Sequence, residues 1–235
     1  MTNHILAALS AADYARFLPH LEKAVLRKNQ KLEKPNANIQ TVYFFETGIA
    51  AVMSTADASQ VAIGLIGCEG ASGIPVMLGA NSAPNAVEML TDGTALSIGA
   101  RPLQRTMVLM SEFGRLLLRY CLAFSHQASQ TALSNATTTI DQRVARWVLM
   151  THDRSETSAV HLSHEIVASM LGVRRAGVTV ALKGLERRGL LKIEHGFITV
   201  LDRDRIKKVA GAFYGLPEIE YKRLVSDAWP PDPKL

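Results

Sequence analysis

Cysteine is scarce in this sequence, which has only Cys68 and Cys121 among its 235 residues. Two cysteines at this spacing form neither a disulfide framework nor a zinc motif. The amino terminus does not have the charged and apolar pattern of a secretory leader. We therefore expect a protein of the reducing cytoplasm that has no structural metal.

Long apolar runs and enzyme signatures are also missing. The most apolar region, residues 61–80, is interrupted by Glu69 and several glycines, so we expect no membrane span. The sequence has no P-loop, no nucleophile elbow and no paired metal-ligand motif, and its Ser, His and Asp residues are scattered. We expect no enzyme, no catalytic residue, no cofactor and no membrane association.

Positive charge is unevenly distributed along the chain. Residues 1–141 contain ten basic and ten acidic residues, whereas residues 142–208 contain thirteen basic and seven acidic ones. Nearly all of the formal net charge of +5 therefore comes from the second segment. Such a concentration favours a nucleic-acid-binding region, because counterion release drives phosphate contacts, although a solvated basic surface explains the charge equally well.

The first 101 residues predict helices followed by a β domain. Apolar residues between positions 4 and 26 recur at helical spacings. From position 31 onward, short β-rich runs alternate with Gly, Asn, Asp and Pro, which is typical of an antiparallel barrel or sandwich. The predicted strands are 41–45, 49–53, 61–66, 86–90 and 94–98.

Residues 102–133 predict one long helix that begins at Pro102 and has no further proline. Apolar or small residues recur there in alternating fours and threes, as in a coiled-coil seam, and a second apolar line runs beside them. A helix with two apolar faces needs two partners, so we predict one face on the β domain and one on a second subunit. A helix buried inside a monomer is the alternative. The predicted dimerisation residues are Leu103, Met107, Met110, Gly114, Leu117, Cys121 and Phe124.

Residues 162–189 have the pattern of a helix-turn-helix. Ser163 can cap a short helix, Gly172 falls where the chain must turn sharply, and a second helix follows with basic residues at its start. A helix of this kind enters the major groove with its amino end first. Strands at 190–193 and 197–200 predict a β-hairpin wing. We assign residues 134–210 to this winged domain and residues 211–235, which include Trp229, to a carboxy-terminal tail.

With these motifs the chain resembles the Crp/Fnr family of bacterial transcription regulators over nearly its whole length. The resemblance is carried by residues 141–149, 162–191 and 198–203, and more loosely by residues 42–49, 64–73 and 78–79. It implies an α+β fold, with an amino-terminal antiparallel β-roll of the cyclic-nucleotide-binding type, a long dimerisation helix and a carboxy-terminal winged helix-turn-helix. It also implies a homodimer that binds double-stranded DNA, and it allows RNA polymerase as a further partner.

The chain departs from the family where cyclic nucleotides bind. Nucleotide-responsive members hold the cyclic phosphate with a Gly-Glu and an Arg-Ser pair, and here those positions are Gly73-Ile74 and Pro84-Asn85. We therefore expect no control by cyclic AMP, and the small-molecule effector stays unknown. The cysteine cluster of iron–sulfur sensors is absent, and a haem held by Cys68 and His126 is a weaker alternative.

The predicted recognition helix departs from the family as well. Arg175 matches an arginine that usually reads guanine, whereas Ala176 and Val180 stand where the family often has glutamate and a second arginine. We expect a different target sequence, with thymine methyl groups as candidate contacts of Ala176 and Val180. The candidate DNA-binding residues are Ser163, His164, Arg174, Arg175, Gly177, Thr179, Val180, Lys183 and His195.

Two alternatives stay open at this point. Ser163 and His164 serve equally well as helix-capping residues that do not touch DNA. The whole chain could also be a dimeric sensor or scaffold that acts through protein contacts and has weak or lost DNA binding.

Overall fold

The computed structural model describes residues 3–56, 59–155, 157 and 159–226. The amino terminus forms two short helices, α1 (His4–Ala7) and α2 (Ala11–Phe17), and the side chains of Asn3 and Ser10 cap their first turns. A 3₁₀ turn follows, and the predicted helical continuation to residue 26 is wrong. Residues Glu22–Leu26 form strand β1 instead, because they pair along their whole length with a later strand of the β domain.

Seven antiparallel strands form the predicted β-roll. After β1, the strands are β2 (Lys31–Glu33), β3 (Thr41–Phe45), β4 (Ala50–Ala56), β5 (Ser59–Ile66), β6 (Ala86–Met89) and β7 (Gly93–Gly99), and a short helix α3 (Ile74–Met77) lies between β5 and β6. One sheet has the order β1-β7-β3 and the other has the order β2-β6-β4-β5. All five predicted strands are present, and β1 and β2 are additional to them.

The predicted single helix over residues 102–133 consists of two helices. Helix α4 (Ala100–Leu109) ends at Met110, whose extended ψ of 77° breaks the helical path, and α5 (Ser111–Thr137) begins at the next residue. Gly114 is needed at this corner, because a Cβ there would lie 2.6 Å from the backbone oxygen of Met107. In the part of the chain that the structure describes, neither α5 nor any other helix is long and apolar enough to cross a membrane.

The seven residues of the predicted dimer seam face the inside of the protomer. Leu103, Leu117 and Cys121 are buried in the core between α5 and the β-roll, and Met107 and Met110 pack against that core. The ring of Phe124 closes against β5, where a Cβ on Gly64 would lie 2.8 Å from it. The seven predicted seam residues are thus covered within one chain, and the seam is not an exposed face of the protomer, whereas Leu109 of the second apolar line is 84% exposed.

The carboxy-terminal part forms the predicted winged helix-turn-helix. The elements are α6 (Ile140–Asp153), β8 (Ala159–His161), α7 (His164–Leu171), α8 (Arg175–Arg187), β9 (Leu191–Glu194), β10 (Phe197–Val200) and α9 (Arg203–Ala210). Helix α6 starts at Ile140 behind a capping box made by Thr139 and Gln142, and a third wing strand, β8, precedes the helix-turn-helix. The wing sheet has the order β8-β10-β9.

The winged domain is docked on the β-roll through α7 and the wing. Apolar side chains of β4, β5 and β6 share one continuous core with those of α6, α7 and α8. At the edge of this contact, Nζ of Lys28 lies 3.2 Å from Nδ1 of His161. Gly172 follows α7 with a left-handed φ of 61°, and a Cβ there would lie 2.4 Å from Val61 of β5. The helix-turn-helix and the β-roll are therefore in direct contact in this conformation.

The predicted tail begins with ordered structure. A 3₁₀ turn and helix α10 (Leu216–Leu224) pack back along α5, and the Tyr221 hydroxyl donates a hydrogen bond of 2.5 Å to the backbone oxygen of Glu69 in the roll. Trp229 lies outside the described residues. The start of the tail thus bridges the winged domain, α5 and the roll.

Candidate nucleic-acid interface

Helix α7 has the caps that the sequence predicts. The Ser163 hydroxyl accepts a hydrogen bond of 3.2 Å from the backbone N–H of Ile166, and Gly172 ends the helix in the left-handed conformation. Ala168 is buried where α8 crosses. Ser163 is therefore a helix-capping residue, and its half-buried side chain stands at the start of the helix-turn-helix.

Helix α8 buries one face and exposes the other. Val178, Leu182 and Leu185 are fully packed in the domain core, which fixes the rotation of the helix. The opposite face is exposed at Arg174, Arg175, Ala176, Val180 and Lys183, while Gly177 and Thr179 lie half-buried at its edge. The structure thus brings six of the nine predicted DNA-binding residues onto or beside one exposed surface of α8.

The exposed face of α8 consists of two parallel rows, because residues four apart lie one above the other on a helix. The polar row contains Arg175, Thr179 and Lys183. The apolar row contains Ala176, Val180 and Gly184. The two cations of the polar row can meet phosphates or guanine edges, and the apolar row can meet only an apolar group.

His164 is positioned by a side chain of the polar row. Its Nδ1 and the Thr179 Oγ1 form a hydrogen bond of 3.0 Å across the two helices. Partial burial lowers the pKa of His164, and the nearby cations Arg175 and Lys183 lower it further. The hydrogen bond to Thr179 of α8 therefore holds His164 beside the polar row. The lowered pKa leaves its imidazole neutral at pH 7.

Gly177 has a packing role that the sequence pattern does not reveal. A Cβ at this position would lie 3.1 Å from Cδ1 of Ile140, the first residue of α6. The glycine allows α6 and α8 to approach each other, and this spacing helps to fix the orientation of α8.

The wing ends in a tight two-residue turn. His195 and Gly196 have positive φ values of 49° and 83°, as a type I′ hairpin turn requires. Glu194, predicted to be part of the turn, is the last residue of β9 and forms an exposed ion pair with Lys192. The side chain of His195 is exposed at the tip of the wing, where it can reach a DNA backbone.

Not all of the basic residues in segment 142–208 are available to DNA. Arg154 is buried in an ion pair with Glu69, and Arg203 is held by Asp153 and Tyr214. Arg146 is also buried and donates hydrogen bonds to backbone oxygens, and burial lowers its pKa to about 10. By contrast, Arg187 and Arg188 are exposed at the end of α8. They are additional to the predicted DNA-binding residues, although their charge and helical spacing indicate this position.

The interior of the β-roll is filled by its own side chains. The inner faces are covered by Leu26, Phe45, Ala50, Val52, Ile66, Val87, Met89 and Ala95. Next to Gly73 and Asn85, the predicted counterparts of a cyclic-phosphate site, a cavity of about 40 Å³ remains. Its charged side chain is Glu33, a buried carboxylate that accepts a hydrogen bond of 2.6 Å from the Gly73 N–H. Glu33, an acidic side chain, therefore lies where a phosphate-binding site needs a cation.

The alternative haem ligands do not come together. Cys68 lies 4.0 Å from Nε2 of His4, whereas His126 is near Glu220 on α10. Within the described residues, no group of three His, Cys, Asp or Glu side chains could hold a metal ion.

Residues 142–209 match the family described as the Crp-like helix-turn-helix domain. These residues form a Crp-like domain. It contains every DNA-binding candidate named above. No curated protein is significantly similar in sequence to the chain.

Solved structures extend the similarity beyond the Crp-like domain. FixK2 from Bradyrhizobium japonicum is 19% identical with a TM-score of 0.68, and the match covers 82% of this chain and 98% of that one. A Crp/Fnr-family transcriptional regulator from Eubacterium rectale is 17% identical with a TM-score of 0.66, over 88% of this chain and 97% of that one. The c-di-GMP-responsive regulator CLP of Xanthomonas campestris is 17% identical with a TM-score of 0.62, over 81% and 99%. Over the 81–88% of its length that these matches cover, the chain has the fold of these Crp/Fnr regulators, which confirms the predicted fold class.

Proposed function

We propose that this chain is a sequence-specific, DNA-binding transcription regulator. The observation that carries the proposal is the exposed polar row of α8, in which Arg175 and Lys183 stand on the groove-facing helix of a Crp-like domain. Arginine at the start of such a helix is suited to guanine, and lysine to phosphate. Such a regulator acts where its DNA is, in the cytoplasm, and it needs no catalytic centre.

We propose a homodimer whose interface is the exposed stripe of α5. Leu118 and Leu122 are 48% and 46% exposed, and with Ser125 and Ser129 they recur in alternating fours and threes, followed by exposed Leu133. This stripe lies one residue beyond the predicted seam, a rotation of about 100° around the helix. Two such helices packed together would present two α8 helices to half-sites about one turn of DNA apart.

The proposed dimer is tested by introducing charged side chains into this stripe. Leu118→Lys combined with Leu122→Lys is expected to yield monomers in sedimentation, because two charges cannot be buried between helices. Leu78→Lys, an equally apolar but separate exposed position on the roll, serves as the control and is expected to remain dimeric. A monomeric wild-type chain would contradict the proposed interface.

We propose that cyclic AMP does not control this regulator. The cavity of about 40 Å³ is too small for a nucleotide, and Glu33 would repel its phosphate. Calorimetric titration with cyclic AMP is expected to show no binding in the roll, and DNA affinity is expected to be unchanged by the nucleotide.

DNA binding is tested by selecting a preferred duplex and comparing it with random DNA across a range of salt concentrations. Arg175→Ala is expected to cost about 1–3 kcal/mol on the selected site and little on random DNA. Lys183→Ala is expected to weaken both similarly and to reduce the salt dependence by about one ion. Lys23→Ala on β1 is the control, since this exposed lysine lies in the roll.

The rival is a scaffold that acts through protein contacts. It predicts no preferred sequence and no steep salt dependence in the same experiment. The exposed cations of α8 favour the DNA-binding function over it, because a docking surface for most proteins does not need two cations beside a groove-sized helix.

A further inference from the structure

The apolar row of α8 is not explained by the packing of the protein. Val180 is 67% exposed in the middle of the helix, and Ala176 is exposed one turn before it. One turn further on, a Cβ added to Gly184 would meet nothing within 4 Å. Valine and glycine are both poorer helix formers than alanine, and neither is required here by a neighbouring side chain. The row therefore has the shape of a contact surface whose partner is absent from the folded chain.

The surroundings of this row indicate the class of that partner. Arg175 and Lys183 border it on one side, and Arg187 continues its line at the end of the helix. An apolar row beside a line of cations complements an apolar group that lies beside a line of negative charge. The major groove of DNA has this arrangement, because its base edges lie between two phosphate backbones.

Among the groups that ordinary base pairs present in the major groove, the apolar one is the C5-methyl group of thymine. We propose that Val180, together with Ala176, reads a thymine methyl in each half-site, next to the base that Arg175 contacts. Val180 is then a specificity-determining residue. Gly184 contributes by leaving room for the DNA to approach the second half of the row. This inference rests on the proposed DNA-binding function.

The proposal is tested by removing only the methyl group. In the selected duplex, each thymine is replaced in turn by deoxyuridine, which keeps every hydrogen-bonding group and loses the methyl. Replacement of one particular thymine in each half-site is expected to lower the affinity of the wild-type chain about fourfold, which is the effect of one buried methyl-sized group. Substitutions at the other thymines are expected to have smaller effects.

Val180→Ala links the effect to the side chain. This variant is expected to bind the thymine duplex about fourfold more weakly than the wild-type chain. It is also expected to bind the thymine and deoxyuridine duplexes equally, so that the two changes are not additive. Val25→Ala, at an equally exposed valine on β1, is the matched control and is expected to keep full sensitivity to the methyl group. Because both valines are exposed, both variants are expected to fold, which thermal unfolding verifies.

Each result has a defined meaning. If the wild-type chain selects a sequence but binds its deoxyuridine versions as well as the thymine duplex, the methyl-reading proposal is overturned and the DNA-binding function stands. The same conclusion follows if Val180→Ala weakens binding to both duplexes equally, since Val180 would then contact something other than the methyl. If the wild-type chain selects no sequence at all, the proposed function itself fails, and with it this inference. An apolar protein partner for the row would produce that last result.

Discussion

Nε of Arg154, the residue that follows α6, lies 2.7 Å from Oε1 of Glu69 in the roll, and both side chains are almost completely buried. The pair is completed by further hydrogen bonds: Arg154 donates to the backbone oxygen of Met150, and Glu69 accepts from the N–H of Gly67. Tyr221 of α10 donates to the backbone of Glu69 from a third direction. One buried ion pair thus joins the β-roll, the winged domain and the carboxy-terminal helix.

Breaking this pair on one side is expected to destabilise the chain strongly. Arg154→Met leaves the Glu69 carboxylate buried without its cation, and we expect the free energy of unfolding to fall by about 3–5 kcal/mol. Chemical denaturation measures the change. Adding Glu69→Gln to Arg154→Met is expected to recover a large part of the loss, because no charge then remains buried. Additive losses in the double variant would contradict a direct coupling between these two side chains.

The close approach of Gly172 to Val61 predicts that alanine costs more stability at Gly172 than at Gly189, although the two glycines have similar backbone conformations. Gly172 and Gly189 have φ values of 61° and 68°, so alanine is strained at both positions. A Cβ at Gly172 would also lie 2.4 Å from Val61, whereas at Gly189 it would meet nothing within 4 Å. Gly172→Ala is therefore expected to lower the free energy of unfolding by about 1–3 kcal/mol more than Gly189→Ala does.

A second substitution tests whether the contact with Val61 causes the larger loss of stability in Gly172→Ala. Val61→Ala removes the clashing methyl groups, so it is expected to reduce the cost of Gly172→Ala and to leave the cost of Gly189→Ala unchanged. If Gly172→Ala is no more harmful than Gly189→Ala, the winged domain does not dock on β5 in solution as it does here.

DNA affinity is expected to increase as the pH falls. The pKa of His164 is lowered by burial and by Arg175 and Lys183, so its imidazole is neutral in the free protein at pH 7. DNA phosphates would favour the protonated form, and binding would then take up a proton at each half-site. Between pH 7.5 and 5.5 the affinity is expected to rise, at most about tenfold per pH unit and half-site, the limit for one proton. Fluorescence anisotropy at constant ionic strength measures the slope.

The assignment to His164 depends on a comparison of two histidines. His164→Gln is expected to flatten the pH dependence, whereas His20→Gln, at an exposed histidine after α2, is expected to leave it unchanged. Equal slopes in the wild-type chain and His164→Gln would show that His164 takes up no proton on binding DNA.

Glu33 predicts that the stability of the roll depends on pH. Burial raises the pKa of Glu33, and the hydrogen bond from the Gly73 N–H only partly opposes this effect. Because the pKa is higher in the folded chain than in the unfolded one, the protonated acid stabilises the fold at low pH. That contribution is lost as the pH rises through the folded-state pKa.

Glu33→Gln keeps an acceptor for Gly73 and removes the buried charge. We expect the variant to be more stable than the wild-type chain at pH 7, by on the order of 1 kcal/mol, and to lose this advantage near pH 4. Thermal unfolding across this pH range measures the difference, with Glu22→Gln at an exposed position of β1 as the control. A constant difference at all pH values would show that ionisation of Glu33 is not its cause.

The helix-turn-helix could be predicted from the sequence because its determinants are local. Ser163, Gly172 and the apolar spacing of α8 define caps, turn and buried face within about 25 neighbouring residues, and the structure has each of them. The positions of Arg175 and Lys183 on the exposed face follow from the same periodicity. Gly177 could not be interpreted in this way, because the side chain that needs its small size is Ile140, far away in the sequence.

Which residues recur together on a helix or strand can be read from the sequence alone, whereas what covers them follows from the packing of the folded chain. The apolar residues from Leu103 to Phe124 do recur with heptad spacing, but the β-roll covers them. The apolar stripe that α5 leaves exposed begins at Leu118. In the same way, charge counting could not separate the exposed Arg175 from the buried Arg154. Periodicity follows from the geometry of a single element, whereas burial depends on neighbours that distant parts of the chain supply.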